Sequence, residues 1–176
     1  MPLLIILGVV AIVLAFGSIS TDSPLEDYAR YEAVLGCDVS PKPGVLAFRA
    51  WVKENYGERP GSPENIVRAC ELGNPSEHHE GRAWDWMIPD DATAQALLDE
   101  LLAEDECGNA HALLRRAGIM YVIYDRRMWR AYDRGPGFPA PREWSAYTGP
   151  NPHTDHVHFS FGTPGAMGET SFYASA

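Results

Sequence analysis

Five of the six histidines in this 176-residue chain fall in two short clusters. His78 and His79 stand in SEHHEGRAWDW, and His153, His156 and His158 stand in HTDHVHFSF. Carboxylates accompany both, Glu80 and Asp85 in the first and Asp155 in the second. Neutral imidazole and carboxylate are side chains that Zn²⁺ takes as ligands, and a catalytic zinc keeps three protein ligands with a fourth position open to water. Two histidines and one aspartate would serve, so these residue types point to Zn2+ as the cofactor. On a strand, residues two apart share a face. His156 and His158 therefore point to the same side, where one can bind metal while the other touches water or substrate. Asp85 alternates with Trp84 and Trp86, which places the carboxylate on one face and the two indoles in the core. His111 lies inside an amphipathic helical pattern and reads as structural, and His79 and Glu80 read as solvated loop residues.

Other templates fit these clusters less well. A metallo-β-lactamase pattern runs HxHxDH, whereas this chain runs HxDHxH. A two-histidine phosphoesterase needs two H-x-[ST] motifs, and His158-Phe159-Ser160 alone matches. HExxH, GxSxG and a phosphate-binding glycine loop do not occur.

The elements that must position these residues follow from periodicity and turn chemistry. After Pro43-Gly44, Val45, Phe48 and Val52 form one apolar stripe at helical spacing, and Gly57 supplies the stop. Residues 58–65 are a turn-rich loop. Gly81 to Ile88 alternates as a strand. Pro89-Asp90-Asp91 then ends it and caps a helix with Leu97, Leu98, Leu101 and Leu102 inward. A shorter helix, NAHALLRRAG, closes on Arg115, Arg116 and Gly118. Met120 to Tyr132 reads as a hairpin, and HVHFSF as a last strand. Helices and strands mix without a βαβ repeat, so the expected class is α+β.

The N-terminal 20 residues are set apart from this domain. Met1 to Thr21 carries no charged side chain, and the apolar run from Leu3 to Ile19 would span about 25 Å as a helix, against about 30 Å of bilayer hydrocarbon. It reads either as a signal peptide cleaved before Ser18 or as an uncleaved membrane anchor. Either reading places the remainder outside the cytoplasm, secreted or membrane-anchored. Residues 21–36 read as a linker or a short peripheral helix, and the globular domain as 37–176. Cys37 and Cys70 bracket the first helix and are paired here as a disulfide, with Cys107 left as a free thiol; three reduced thiols are the alternative. With 24 acidic against 14 basic side chains, the net charge is -10. That balance argues against a nucleic-acid partner, which is held by clustered Lys and Arg.

At the histidine clusters the chain resembles the zinc peptidases of the D-Ala-D-Ala carboxypeptidase, lysostaphin and hedgehog class. Their first motif, SxHxxGxAxD, is matched by Ser76, His78, Gly81, Ala83 and Asp85, and their second, an HxH preceded by an acidic residue, by His156 and His158 with Asp155. The stretch from Pro43 to Phe161 looks like a group of exported actinobacterial proteins with this domain at the C-terminus. The resemblance implies a hedgehog/DD-peptidase-like fold, a small antiparallel sheet with helices packed on one side. It implies zinc on His78, Asp85 and His158, with His156 polarising water or stabilising the oxyanion. The carboxypeptidases carry a glutamate as general base three residues before the last ligand. Asp155 holds that place here with a shorter side chain, and His153 competes with it. Ser76 belongs to the motif beside the substrate, and Arg68 would grip a substrate carboxylate or serve structurally. The implied activity is metallopeptidase hydrolysis of peptide bonds in cell-wall peptidoglycan by a monomer. The alternative is a zinc-containing envelope-binding module of the same fold without turnover.

Overall fold

Pro43 fits the first turn of a helix, where its missing N–H costs nothing. It opens α1 (Pro43–Tyr56), whose Val45, Phe48 and Val52 are fully buried on one face. Gly57, with φ of 76°, ends α1 where the chain turns away. We describe residues 25–71 and 73–174 from a computed structural model. A single turn of 3-10 helix, Glu77–Glu80, leads into β1 (Ala83–Met87). Next comes α2 (Asp91–Leu102), capped by Asp90, whose carboxylate accepts the Thr93 N–H at 2.8 Å. Then follow α3 (Ala112–Ala117), β2 (Ile119–Tyr124), β3 (Arg127–Arg130), β4 (Ser145–Ala146), β5 (His156–Phe161) and α4 (Thr163–Met167), with a last 3-10 turn at Ser171–Tyr173.

The five strands form one antiparallel sheet in the order β1-β5-β2-β3-β4. Its two faces separate by the period-two alternation of each strand. Trp84, Trp86, Val122, Trp129, Val157 and Phe159 are buried against side chains of α1, α2 and α3. Phe48 touches Trp84, Phe159 and Phe161 edge-on, with ring centroids 5.3 to 6.3 Å apart. The opposite face carries Asp85, His156, His158 and Ser160, with Tyr121 and Ile123 alongside. The architecture is α+β: an antiparallel sheet with its helices against one side.

The departures from the sequence reading are local. β1 begins two residues late because Gly81 sits in left-handed backbone, φ 63°, closing the 3-10 turn. α3 starts at Ala112 because His111 is itself left-handed, φ 56°. The hairpin turns through Asp125 and Arg126, both at positive φ. Short β4 and α4 had no periodic signature.

Of residues 21–36, expected as a linker or short peripheral helix, the described part, 25–36, contains no helix. It runs as an irregular strap stitched to the domain by side chains. Glu26 accepts from the Ser171 hydroxyl at 2.8 Å, Glu32 from the Thr163 N–H at 2.9 Å, and Glu80 from the Leu35 and Gly36 N–H groups at 2.9 Å each. His79 is buried and Glu80 also pairs with Arg82 at 2.6 Å, so neither is the solvated loop residue that was expected. Cys37 and Cys70 form a disulfide, with Cα atoms 6.0 Å apart, and Cys107 is free and exposed. The signal peptide or anchor expected at residues 1–20 lies outside the described residues. Among the described residues, no helix is long and apolar enough to cross a membrane.

Candidate metal centre

The site is assembled from three pieces of backbone on the open face of the sheet. Asp85 of β1 and His158 of β5 are register partners, and His156 lies opposite Met87 one step along the same face. The 3-10 turn presents His78 from the side. Its peptide groups are clamped by two neighbouring segments: Asp38 N–H donates to the His79 carbonyl at 2.7 Å, and Arg68 N–H to the His78 carbonyl at 3.3 Å. His153 is turned inward from the loop before β5 by left-handed backbone, φ 52°. Its carbonyl is held by the Asp125 N–H at 2.8 Å.

The side chains converge on one carboxylate oxygen. Asp85 Oδ1 lies 2.8 Å from His158 Nδ1, 3.3 Å from His78 Nε2 and 3.8 Å from His156 Nε2. All five residues are at least nine-tenths buried. They make two overlapping groups that could hold a metal ion, His78–Asp85–His158 and Asp85–His153–His156, with the ligand atoms of each within 4.8 Å of one another.

The outer contacts of the rings show which nitrogens face inward. His78 Nδ1 is 2.9 Å from the Ile66 carbonyl, and His153 Nδ1 is 2.6 Å from the Asn151 carbonyl. A carbonyl only accepts, so each Nδ1 carries the proton and each Nε2 presents a lone pair. His156 Nδ1 donates in the same way to Asp155 Oδ1 at 2.7 Å. Outer acceptors on ring nitrogens are how metal-binding histidines are fixed in orientation. Meanwhile His78 Nε2 and His156 Nε2 are buried with no hydrogen-bond partner. Orphaned lone pairs aimed at a carboxylate oxygen are costly, and a cation placed among them removes the cost. The residues present therefore fit a metal ion.

Charge favours the same conclusion. Burial acts to raise the Asp85 carboxyl, but the neighbouring His158 and His78 outweigh it and hold the group far below the usual carboxylate range. Burial pushes the His158 imidazole down, against the pull of Asp85. His153 is pushed down to about 4, first by burial and then by His158 and His156. At neutral pH the cluster thus offers an anionic Asp85 beside neutral His153 and His158, the forms that bind metal.

The remaining expected residues occupy the margins. Arg68 donates to Asp85 Oδ2 while its side chain stays 54% exposed, so it reaches the cluster and faces solvent at once. Ser76 precedes the 3-10 turn, where its carbonyl accepts the His79 N–H at 2.8 Å and its hydroxyl makes no cap. Asp155 is 58% exposed and reaches the cluster only through His156, so His153 rather than Asp155 stands inside. The sequence reading did not single out Glu77, Tyr121, Ser160 or Tyr147. Tyr121 stacks on His158 with centroids 5.5 Å apart and donates to buried Glu77 at 2.7 Å. Ser160 Oγ lies 3.0 Å from His158 Nε2, and Tyr147 packs edge-on against His153. The face of β5 that carries the histidines was the available signal for Ser160.

No curated protein and no solved structure matches this chain. Residues 37–158 match the family model described as VldE, C-terminal domain, and that match spans α1 to β4 and all five residues of the cluster. With well over half of its length covered, the chain belongs to the VldE C-terminal domain family.

Proposed function

We propose that this domain is a zinc-dependent peptidase that hydrolyses peptide bonds of bacterial cell-wall peptidoglycan. The observation that carries the reading is the convergence of His78, His156 and His158 on Asp85 Oδ1 with two buried, unpartnered imidazole nitrogens. The resemblance of SEHHEGRAWD and HTDHVH to the zinc peptidase motifs supplies the substrate class. His78, Asp85 and His158 would hold the ion. Zinc held there would lower the pKa of bound water to about 7 and polarise a carbonyl oxygen.

The chain's own groups do the rest. His156 Nε2 faces the cluster as a lone pair while Asp155 holds its Nδ1–H, so this pair accepts the proton of the attacking water and returns it to the leaving amine. His153, neutral and held by the Asn151 carbonyl, would orient water beside Asp85. Arg68, anchored on Asp85 Oδ2, offers its remaining N–H groups to a substrate carboxylate. The Cys37–Cys70 disulfide supports an extracytoplasmic location, secreted or held at the membrane by residues 1–20. A monomer acting on stem peptides or cross-bridges is the form this reading takes.

A second reading, a zinc-containing envelope-binding module without turnover, is favoured by one observation. Asp155, in the place of the carboxypeptidases' glutamate, turns to solvent and onto His156 rather than into the cluster. The two readings separate in one experiment. Peptidoglycan incubated with the purified chain is analysed by mass spectrometry, with and without chelator, beside His78→Ala and His158→Ala. Cleavage that is lost with chelator and in both variants supports the peptidase. Zinc bound at one equivalent without cleavage supports the binding module, and cleavage without zinc overturns both.

A further inference from the structure

Behind the ligand face of His158 lies a buried polar group made of Ser160, Tyr121 and Glu77. Ser160 is fully buried, and its hydroxyl is 3.0 Å from His158 Nε2. Directly opposite Ser160 in the β2–β5 register, and so on the same face of the sheet, stands Tyr121, whose ring stacks on His158. Tyr121 donates to Glu77 Oε2 at 2.7 Å, and Glu77 is 7% exposed. Glu77 also sits in the 3-10 turn, next to His78. The group therefore ties a residue of β5 to the turn that supplies another ligand.

His158 differs from its neighbours in the nitrogen it turns inward. His78, His153 and His156 each have Nδ1 occupied from outside, whereas His158 faces Asp85 with Nδ1 and leaves Nε2 to Ser160. Beside bare Asp85, Nδ1 must carry the proton and Nε2 accept from the Ser160 hydroxyl. Once Nδ1 binds a cation, the ring proton resides on Nε2, which must then donate. A serine hydroxyl serves both cases, since it donates one bond and accepts two. Freed from donating to Nε2, it can donate to the Tyr121 oxygen, whose own proton already goes to Glu77.

We propose that Ser160, Tyr121 and Glu77 form a positioning relay that commits His158 Nδ1 to the metal and strengthens it as a ligand by drawing its Nε2–H toward a buried carboxylate. The proposal rests on reading the cluster as a metal centre, and it concerns residues that do not touch the ion. Outer contacts of this kind are worth about 10- to 100-fold in metal affinity.

The test measures zinc affinity of the full chain by competition with a chromophoric chelator, for wild type, Ser160→Ala, Tyr121→Phe, Glu77→Gln and the double variant Tyr121→Phe/Glu77→Gln. Each single variant is expected to bind zinc about 10- to 100-fold more weakly. The double variant is expected to bind no more weakly than the weaker single, because its two residues act in series. The zinc-loaded protein is also expected to show a hydrogen-bonded His158 Nε2–H in long-range ¹H–¹⁵N spectra that Ser160→Ala loses; a merely structural role would leave that signal in place. Wild-type affinity in all three single variants, with zinc bound by the parent, overturns the relay while leaving the metal centre standing. A parent chain that binds no zinc overturns both. Tyr121→Phe and Glu77→Gln keep the shape of the parent side chains, so they remain informative if Ser160→Ala fails to fold.

Discussion

Replacing both Cys37 and Cys70 by serine tests how the 3-10 turn is held. The bridge closes a segment with a sequence separation of 33. In the loop-entropy account, a loop of that size costs the unfolded chain about 13 cal/mol/K, or about 4 kcal/mol at 25 °C. At about 2 to 4 °C per kcal/mol for a domain of this size, the melting temperature is expected to fall by about 8 to 16 °C. Trp84, Trp86 and Trp129 are fully buried, so tryptophan fluorescence reports the transition directly. The effect should also reach the histidines. Asp38, next to Cys37, bonds the His79 carbonyl, Arg68 bonds the His78 carbonyl, and Cys70 Sγ lies 3.8 Å from the His79 carbonyl, so the bridge joins the two arms of the clamp around His78. Zinc affinity, measured by chelator competition below the new melting temperature, is expected to weaken in the serine variant. A melting temperature within about 2 °C of the parent would refute the reasoning on stability. An unchanged zinc affinity would refute the clamp.

Four further expectations follow from the geometry. Gly81→Ala places a Cβ 2.0 Å from the Ser40 carbonyl oxygen in left-handed backbone, so it should destabilise by more than the 1 to 2 kcal/mol that such backbone alone costs, read by urea denaturation. Phe48→Ala empties a fully buried position among Trp84, Phe159 and Phe161 and should cost about 3 to 5 kcal/mol in the same assay. Saturating zinc at about 100 times its dissociation constant should stabilise the parent by about 2.7 kcal/mol, and Asp85→Asn should abolish the shift in thermal unfolding. His111 is lowered by burial first and then by Arg142 and Arg115, so the unfolded chain binds its proton more tightly than the folded one. Stability is then fully present above the ordinary histidine value of about 6.5 and lost as pH falls through the folded value, and melting temperatures of His111→Gln should depend less on pH across that window.

Much of the candidate centre is legible in the sequence because the groups in question lie on strands. Alternation alone puts Asp85 opposite Trp84 and Trp86, and His156, His158 and Ser160 opposite Val157 and Phe159, and the sheet follows that division. The stripe of Val45, Phe48 and Val52 likewise identifies α1 with its end at Gly57. What alternation cannot carry is the direction of a loop. His153 enters the cluster and Asp155 leaves it because His153 adopts left-handed backbone, a conformation that residue type hints at only weakly. The attachment of the strap at 25–36 is not legible in the sequence for a related reason. The strap is held by carboxylates that bond distant backbone and hydroxyl groups, as when Glu32 takes the free N–H of Thr163 at the start of α4, and such contacts leave no period in the sequence. Glu77 was obscured by its own charge, since an acidic residue in a polar loop reads as solvated until Tyr121 is seen above it.

The division of β5 between two faces also bears on how this family can vary. Val157, Phe159 and Phe161 lock into the helices while His156, His158 and Ser160 carry the chemistry, so six consecutive residues serve two masters with no neutral position between them. Exchanges of side chain can be absorbed on either face separately. A change of length cannot: one inserted residue within β5 would rotate every later side chain through the sheet, sending an imidazole into the aromatic core and a phenyl ring into the ligand cluster. The loops that flank β5 can therefore lengthen without this cost, whereas the strand itself cannot.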